Sequence, residues 1–267
     1  MYGAIIGDIV GSIYEFRNIK TKDFPWLTDK NHFTDDTVMT VAVADAILKC
    51  NRNGKIEDIS LFKNELCSSM HHWGRAYWTA GYGQKFIWWL MHKSREPYNS
   101  YGNGSAMRVS PIAWYCQTLE ETLILAKASS EITHNHPEGI KGAEAVAGAI
   151  FLAKTGATKD EIKVFTDRYY NIEFTLDDIR PTYRHVESCQ ESIPHALEAF
   201  FESTDFEDAI RCAISIGGDS DTIAAITGSI AEAYYGIPQN LKDQIVSYID
   251  NPMLETIKSF VALIQNK

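Results

Sequence analysis

The sequence contains no Cys-x-x-Cys pair, no uncharged apolar run long enough to span a bilayer, no basic excess and few stretches of alternating polarity. Each absence removes a class of protein. Cys50, Cys67, Cys116, Cys189 and Cys212 are odd in number and widely spread. That pattern argues against a zinc ribbon or a dithiol redox motif and for buried free thiols in a reducing cytosol. The formal net charge of -10 argues against a nucleic-acid backbone or an anionic membrane as main partner, because both reward a basic surface. A stable nucleic-acid complex is therefore not expected. The opening stretch MYGAIIGDIVGS lacks a basic segment and carries Asp8 inside its apolar part, so it does not read as a signal peptide. With no candidate membrane span either, a cytoplasmic protein without a membrane partner is expected.

What is present is helical. The 267 residues are 45% hydrophobic and 22% charged, enough to bury a substantial core. Apolar residues recur at helical spacing, or all round, over 37–49, 57–73, 107–116, 119–130, 138–154, 158–170, 189–201, 205–215, 221–235 and 239–249. Breakers fall between them at Asn53-Gly54, Pro97 to Gly104, Thr155-Gly156, Asp177 to Pro181, Gly217-Gly218 and Gly236 to Pro238. No low-complexity linker or strict repeat divides the chain. One compact all-α domain spanning residues 1–267 is expected.

Two helices are rich in small residues. Ile223 to Tyr235 places Ala224, Gly228 and Ala231 or Glu232 along one face, and Lys141 to Lys154 carries Gly142, Ala143, Ala145, Ala147, Gly148 and Ala149. Small side chains let helix backbones approach closely, which marks these as central helices.

Acidic clusters stand at helix starts. In FTDDTVMT, residues 33 to 40, Thr34, Asp35 and Asp36 occupy the positions of a cap and first turn, where unpaired N–H groups and the helix dipole favour carboxylates. Capping alone would account for this stretch. GGDSDTIAA, residues 217 to 225, repeats the arrangement with Asp219, Asp221 and Thr222. A cap needs one short polar side chain, whereas each cluster offers two carboxylates and a hydroxyl. Surplus carboxylates at one helix end repel one another unless a cation lies between them. Six oxygen ligands suit a hard cation such as Mg²⁺, Mn²⁺ or Ca²⁺ rather than zinc. If the two helix starts meet, four carboxylates could hold two ions roughly 3.5–4 Å apart, as two-metal hydrolytic sites do.

Three further stretches carry polar chemistry. SYGNGSAMR, residues 100 to 108, is a glycine-bearing loop leading into a helix, and successive N–H groups there form a nest for phosphate oxygens; a plain turn is the alternative. THNHP, residues 133 to 137, offers His134 and His136 as substrate contacts or as a capped turn, without a third ligand at zinc spacing. GDIVGSIYE, residues 7 to 15, carries Asp8 and Glu15, and Glu15 is a candidate base or a solvated surface residue. The aromatics Trp73, Tyr77, Trp78, Phe86, Trp88 and Trp89 belong to the core or an interface, or stack on a base.

In this order, GDIVGSIYE, FTDDTVMT, YGNGSAMRVSP, THNHPEG and GGDSDTIAAITGSIAEAYYG resemble the ADP-ribosylglycohydrolase family, the ADP-ribosyl-acceptor hydrolases that include the enzyme reactivating ADP-ribosylated dinitrogenase reductase. The five motifs cover nearly the whole chain. The resemblance implies an orthogonally packed all-α bundle with a dinuclear Mg²⁺ or Mn²⁺ centre. Thr34, Asp35, Asp36, Asp219, Asp221 and Thr222 would be its metal ligands. By the same resemblance Ser100, Tyr101, Gly102, Asn103 and Gly104 would bind the diphosphate, and His134 would lie near the ADP-ribose. Glu15 matches a glutamate that gates the site or helps catalysis, and Glu15, Asp35 and Asp36 are the candidate catalytic carboxylates. The implied reaction is hydrolysis at the anomeric carbon of the distal ribose of an ADP-ribosylated protein or other acceptor. The segments Tyr77 to Asn99 and Thr175 to Glu191 match no motif of the family and are expected to shape the acceptor side. A non-catalytic ADP-ribose binder is the alternative, but it predicts a missing metal aspartate, and none is missing. Prenyl synthases would need an aspartate where Met39 stands, and helical phosphohydrolases a His-Asp pair that neither cluster has.

Overall fold

The computed structural model describes residues 1–52, 56 and 58–267. The breaker expected at Asn53-Gly54 and the first residue of the helix expected from 57 lie outside that description. In chain order the helices are α1 (Tyr2–Gly11), α2 (Asp35–Arg52), α3 (Ile59–Ala76), α4 (Gln84–Met91), α5 (Gly104–Met107), α6 (Ser110–Tyr115), α7 (Leu119–Glu131) and α8 (Pro137–Lys154). There follow α9 (Lys159–Thr166), α10 (Leu176–Ile179), α11 (Cys189–Glu202), α12 (Phe206–Ser215), α13 (Ser220–Tyr235), α14 (Gln239–Ile245) and α15 (Asn251–Gln265). Among the described residues there is no strand, only an isolated bridge between Gly102 and Ser188. The all-α expectation holds.

Local sequence explains many of these starts. Asp58 accepts the N–H groups of Ser60 and Leu61 to open α3, and Thr118 with Glu121 and Thr158 with Glu161 form capping boxes on α7 and α9. The span 107–116, expected as one helix, is broken after Met107. Pro111 lies in the first turn of α6, where its missing N–H costs nothing, and the chain restarts there as a separate helix. Helices α1, α4, α10 and α15 lie outside the expected spans. The one from 158 stops at Thr166 rather than 170.

Glycine and alanine set how closely the central helices meet. On α1, Gly3, Gly7 and Gly11 face α13, and a Cβ at Gly3 or Gly7 would overlap the carbonyl oxygens of Gly228 and Ala224. The small-residue face expected on α13 is thus matched by a second such face on α1, and the two backbones touch. Helix α8 does the same on two sides: Gly142 admits Cys189 and Ile193 of α11, and Gly148 admits the ring of Phe165. The apolar residues of these helices and of α2 join one contiguous core. This packing brings the N-terminal ends of α2 and α13 beside α1. Among the described residues, no helix is long and apolar enough to cross a membrane.

Candidate active site

Helix α2 is capped from a distance. Asp8, fully buried on α1, accepts hydrogen bonds from the N–H and hydroxyl of Thr34 (2.9 and 2.7 Å) and from the N–H and hydroxyl of Thr37 (3.1 and 2.5 Å). The orphan donors of this start are thus shared out: the N–H groups of Thr34 and Thr37 go to a carboxylate from another helix, that of Asp35 to the Ala80 carbonyl (2.8 Å), and that of Asp36 to the Thr34 hydroxyl (3.3 Å). The sequence pattern puts Thr34, Asp35 and Asp36 at the cap and first turn of α2, with the aspartates also free to hold cations. Asp35 and Asp36 do stand in the first turn and the Thr34 hydroxyl caps it, accepting the N–H of Asp36 at 3.3 Å; what the pattern does not show is the second, remote capping group, Asp8. Asp35 and Asp36 are left over.

The start of α13 is held differently. Asp219 sits at the cap position without capping the helix, and one of its oxygens accepts the amide of Asn103 at 2.7 Å. Asn103 also reaches Ser192. Asp221 accepts the N–H of Thr222 at 2.9 Å. The two helix starts meet: the Thr222 hydroxyl donates to Asp36 at 2.9 Å, across 186 positions of sequence.

Above this junction opens a cavity of about 270 Å³. Glu15, Asp35, Asp36, Asp219, Asp221 and Thr222 line it, together with Ser100, Gly102, Asn103, Gly104, Arg108 and His134. Thr34 is buried behind them with its hydroxyl turned to Asp8. Tyr101 is 50% exposed and lies edge-on to His136, outside the lining. The loop from Ser100 is fastened through the Asn103 N–H to the Glu187 carbonyl (2.8 Å) and through the Cys189 N–H to the Tyr101 carbonyl (2.9 Å). Of the six aromatics singled out in the sequence, Phe86 alone lines the cavity. Trp73, Phe86 and Trp89 are buried and packed with neighbouring rings, while Trp78 and Trp88 are exposed.

Carboxylates are concentrated here. Burial, then the neighbouring carboxylates Asp8 and Asp219 for Asp35, Asp8 and Asp35 for Asp36, and Asp219 and Asp36 for Asp221, push all three well above the usual carboxylate range. Glu15, half-buried, is raised to about 7 by burial and then by Asp219. One oxygen of Asp36 is buried with no hydrogen-bond partner among the described residues. An orphaned anionic oxygen inside a cluster of carboxylates is the environment a hard divalent cation satisfies, so the donor set fits one.

A second grouping was not legible. Ligand atoms of Glu15, His185 and Asp219 lie within 4.8 Å of one another. His185 belongs to the segment Thr175 to Glu191, which matched no motif. It is raised to about 9, first by its hydrogen bond to Glu187 at 3.2 Å. Nothing in its local sequence marks it, since the loop alone brings it to Glu15. Asp8 and Arg108 were likewise visible as letters but not as roles.

Comparison with known proteins bears on family and fold. A family model described as ADP-ribosylglycohydrolase matches residues 1–266. ADP-ribosylhydrolase ARH3 of Homo sapiens is 26% identical across 89% of this chain and 84% of its own length. ADP-ribosylarginine hydrolase Tri1 of Pseudomonas putida (strain GB-1) is 28% identical across 89% of this chain and 70% of its own. A solved structure described as an ADP-ribosylglycohydrolase-related protein complex aligns over 99% of this chain and 95% of its own with a TM-score of 0.74 at 22% identity, a likeness of fold.

Proposed function

The chain belongs to the ADP-ribosylglycohydrolase family, and from that premise we propose that it is a metal-dependent hydrolase that removes ADP-ribose from an ADP-ribosylated acceptor. The observation that carries this is the meeting of two acidic helix starts, through Thr222 and Asp36, beside a glycine loop in one cavity. In this reading Thr34, Asp35, Asp36, Asp219, Asp221 and Thr222 hold two divalent cations, Mg²⁺ or Mn²⁺. The hydroxyl of Thr34, its proton committed to Asp8 and one lone pair to the Asp36 N–H, keeps one lone pair for a cation. Bound there, the cations would supply Lewis-acid polarisation and charge neutralisation.

The chain's own residues do the rest. Ser100, Gly102, Asn103 and Gly104 line the diphosphate side with Tyr101 at the rim; the N–H groups of Ser100, Gly102 and Asn103 are spent on the Thr133 carbonyl, the Ser100 hydroxyl and the Glu187 carbonyl, so the loop's backbone donor to the ligand is the Gly104 N–H, and His134 contacts the same part of the ligand. Asp35 and Asp36 orient the reacting end of the ligand against the helix starts. Glu15, raised to about 7, is suited to exchange a proton at neutral pH. It takes a proton from the attacking water as the water oxygen bonds to the anomeric carbon of the distal ribose. The bond from that carbon to the acceptor breaks, and the proton passes to the acceptor. The contiguous core supports reading residues 1–267 as one domain, and five buried cysteines with no disulfide among them support a reducing, cytoplasmic setting.

The test is release of free ADP-ribose from arginine-, serine- and nucleic-acid-linked substrates, with Mg²⁺, with Mn²⁺ and with chelator. Arginine-linked substrate is included because the name of the Pseudomonas putida relative carries that linkage. Metal-dependent release from one linkage supports the proposal and identifies the acceptor. Binding of ADP-ribose without release from any linkage would replace it with a non-catalytic binder.

A further inference from the structure

Arg108 is 1% exposed and its hydrogen-bond partners are neutral. Its Nη2 donates to the Ser129 carbonyl (3.0 Å) and to the Thr133 hydroxyl (2.8 Å), and its Nε has no hydrogen-bond partner among the described residues. Burying a guanidinium without a carboxylate is costly, which invites a reason for its place. The Thr133 hydroxyl in turn lies 2.8 Å from Nδ1 of His134. The far nitrogen of that ring, Nε2, faces the cavity loop: a Cβ at Gly104 would stand 3.1 Å from it, and one at Gly102 3.6 Å.

Donor arithmetic fixes the direction of this chain. A guanidinium only donates, so Thr133 Oγ1 accepts from Arg108. If Nδ1 of His134 also donated to it, the single hydroxyl hydrogen of Thr133, which is wholly buried, would have no acceptor among the described residues. Leaving a buried donor unmade costs more than the bond is worth. The satisfied arrangement has Thr133 donating to Nδ1, which puts the ring proton on Nε2. Burial, and then the Arg108 charge, hold the ring neutral.

We propose that Arg108 and Thr133 are positioning residues that hold His134 as the Nε2–H tautomer, a hydrogen-bond donor aimed past Gly102 and Gly104 at an oxygen of the bound diphosphate. Its binding role rests on the ADP-ribose reading above; the tautomer does not. The absence of side chains at Gly102 and Gly104 leaves the donor uncovered.

The first test is a long-range proton–nitrogen NMR spectrum of the full chain labelled on histidine nitrogens, with the His134 signals identified by their loss in His134→Gln. A protonated Nε2 and an unprotonated Nδ1 are expected; a protonated Nδ1 overturns the proposal. The second is ADP-ribose affinity of Thr133→Val and Thr133→Ser by calorimetry. Losing one oriented donor should weaken binding about tenfold in Thr133→Val, with His134 no longer held in one tautomer, while Thr133→Ser, which keeps the hydroxyl, restores both. Wild-type affinity in Thr133→Val would overturn the positioning role. Should Thr133→Val fail to fold, the wild-type spectrum still decides the tautomer. If wild-type protein binds no ADP-ribose, the functional reading fails while that spectrum continues to judge the relay.

Discussion

The starts of α2 and α13 look alike as sequence, each an aspartate pair with a threonine, yet the structure supports them by different means. The first is gripped by Asp8, which meets four donors of Thr34 and Thr37 from a neighbouring helix. The second is braced by a loop, through the bond from Asn103 to Asp219. The capping carboxylate of α2 comes from outside the motif, so both motif aspartates are spared for the cavity. Similar letters can therefore conceal unlike supports, and the two should fail differently.

The largest effect is expected at the junction the two starts share. Asp36→Asn should lower metal-dependent ADP-ribose release about a thousandfold, the scale on which losing a main electrostatic element acts. In the absence of metal the same variant should melt higher than wild type, because it removes one of several buried carboxyl groups that repel one another when ionised. Undiminished turnover, or a lower metal-free melting temperature, would count against the cluster as a cation site.

Next in size is Gly7→Val. Its side chain would overlap the Ala224 carbonyl and push α1 from α13, disturbing both starts at once. A loss of about 3 kcal/mol in urea unfolding is expected. Asp8→Asn should act on α2 alone. An amide cannot accept from all four donors, so about 2 kcal/mol is lost, and hydrogen exchange should rise in the first turn of α2 but not of α13. Equal exchange at both starts would mean they are not supported separately.

Asn103→Ala should do the reverse on a smaller scale, costing about 1 kcal/mol and loosening Asp219 while leaving α2 protected. The smallest effect concerns His195, stacked between Phe174 and Tyr183 and held down to about 4 by burial. Its folded value lies below the unfolded one, near 6.5. Above that, neither state binds the proton and nothing is lost. As pH falls from about 6.5 toward 4, the unfolded chain takes the proton first and stability drops, by about 1 kcal/mol between roughly pH 7 and pH 5.5. His195→Gln should flatten that slope, measured by urea unfolding at the two pH values.

Much of the helical layout could be read from periodicity, and the misses have physical causes. Helix α1 has three glycines and a central aspartate, a poor helix by propensity, and it is stable because α13 supplies a matching small face. Helix α15 begins with an Asp250 cap on the Met253 N–H and a proline in its first turn, signals present in the sequence beyond the last span expected. His185 could not be read at all, since it reaches Glu15 and Asp219 only through the path of the loop after α10.

By itself the sequence determined the all-α class, the two acidic helix starts, the glycine loop and the family, because these depend on composition, spacing and local capping chemistry. Tertiary structure alone decided that Asp8 caps α2, that Thr222 meets Asp36, and that Arg108 reaches His134 through Thr133. Each of those is a contact made across packed helices and loops, with buried donors and acceptors pairing wherever close backbone approach brings them within reach.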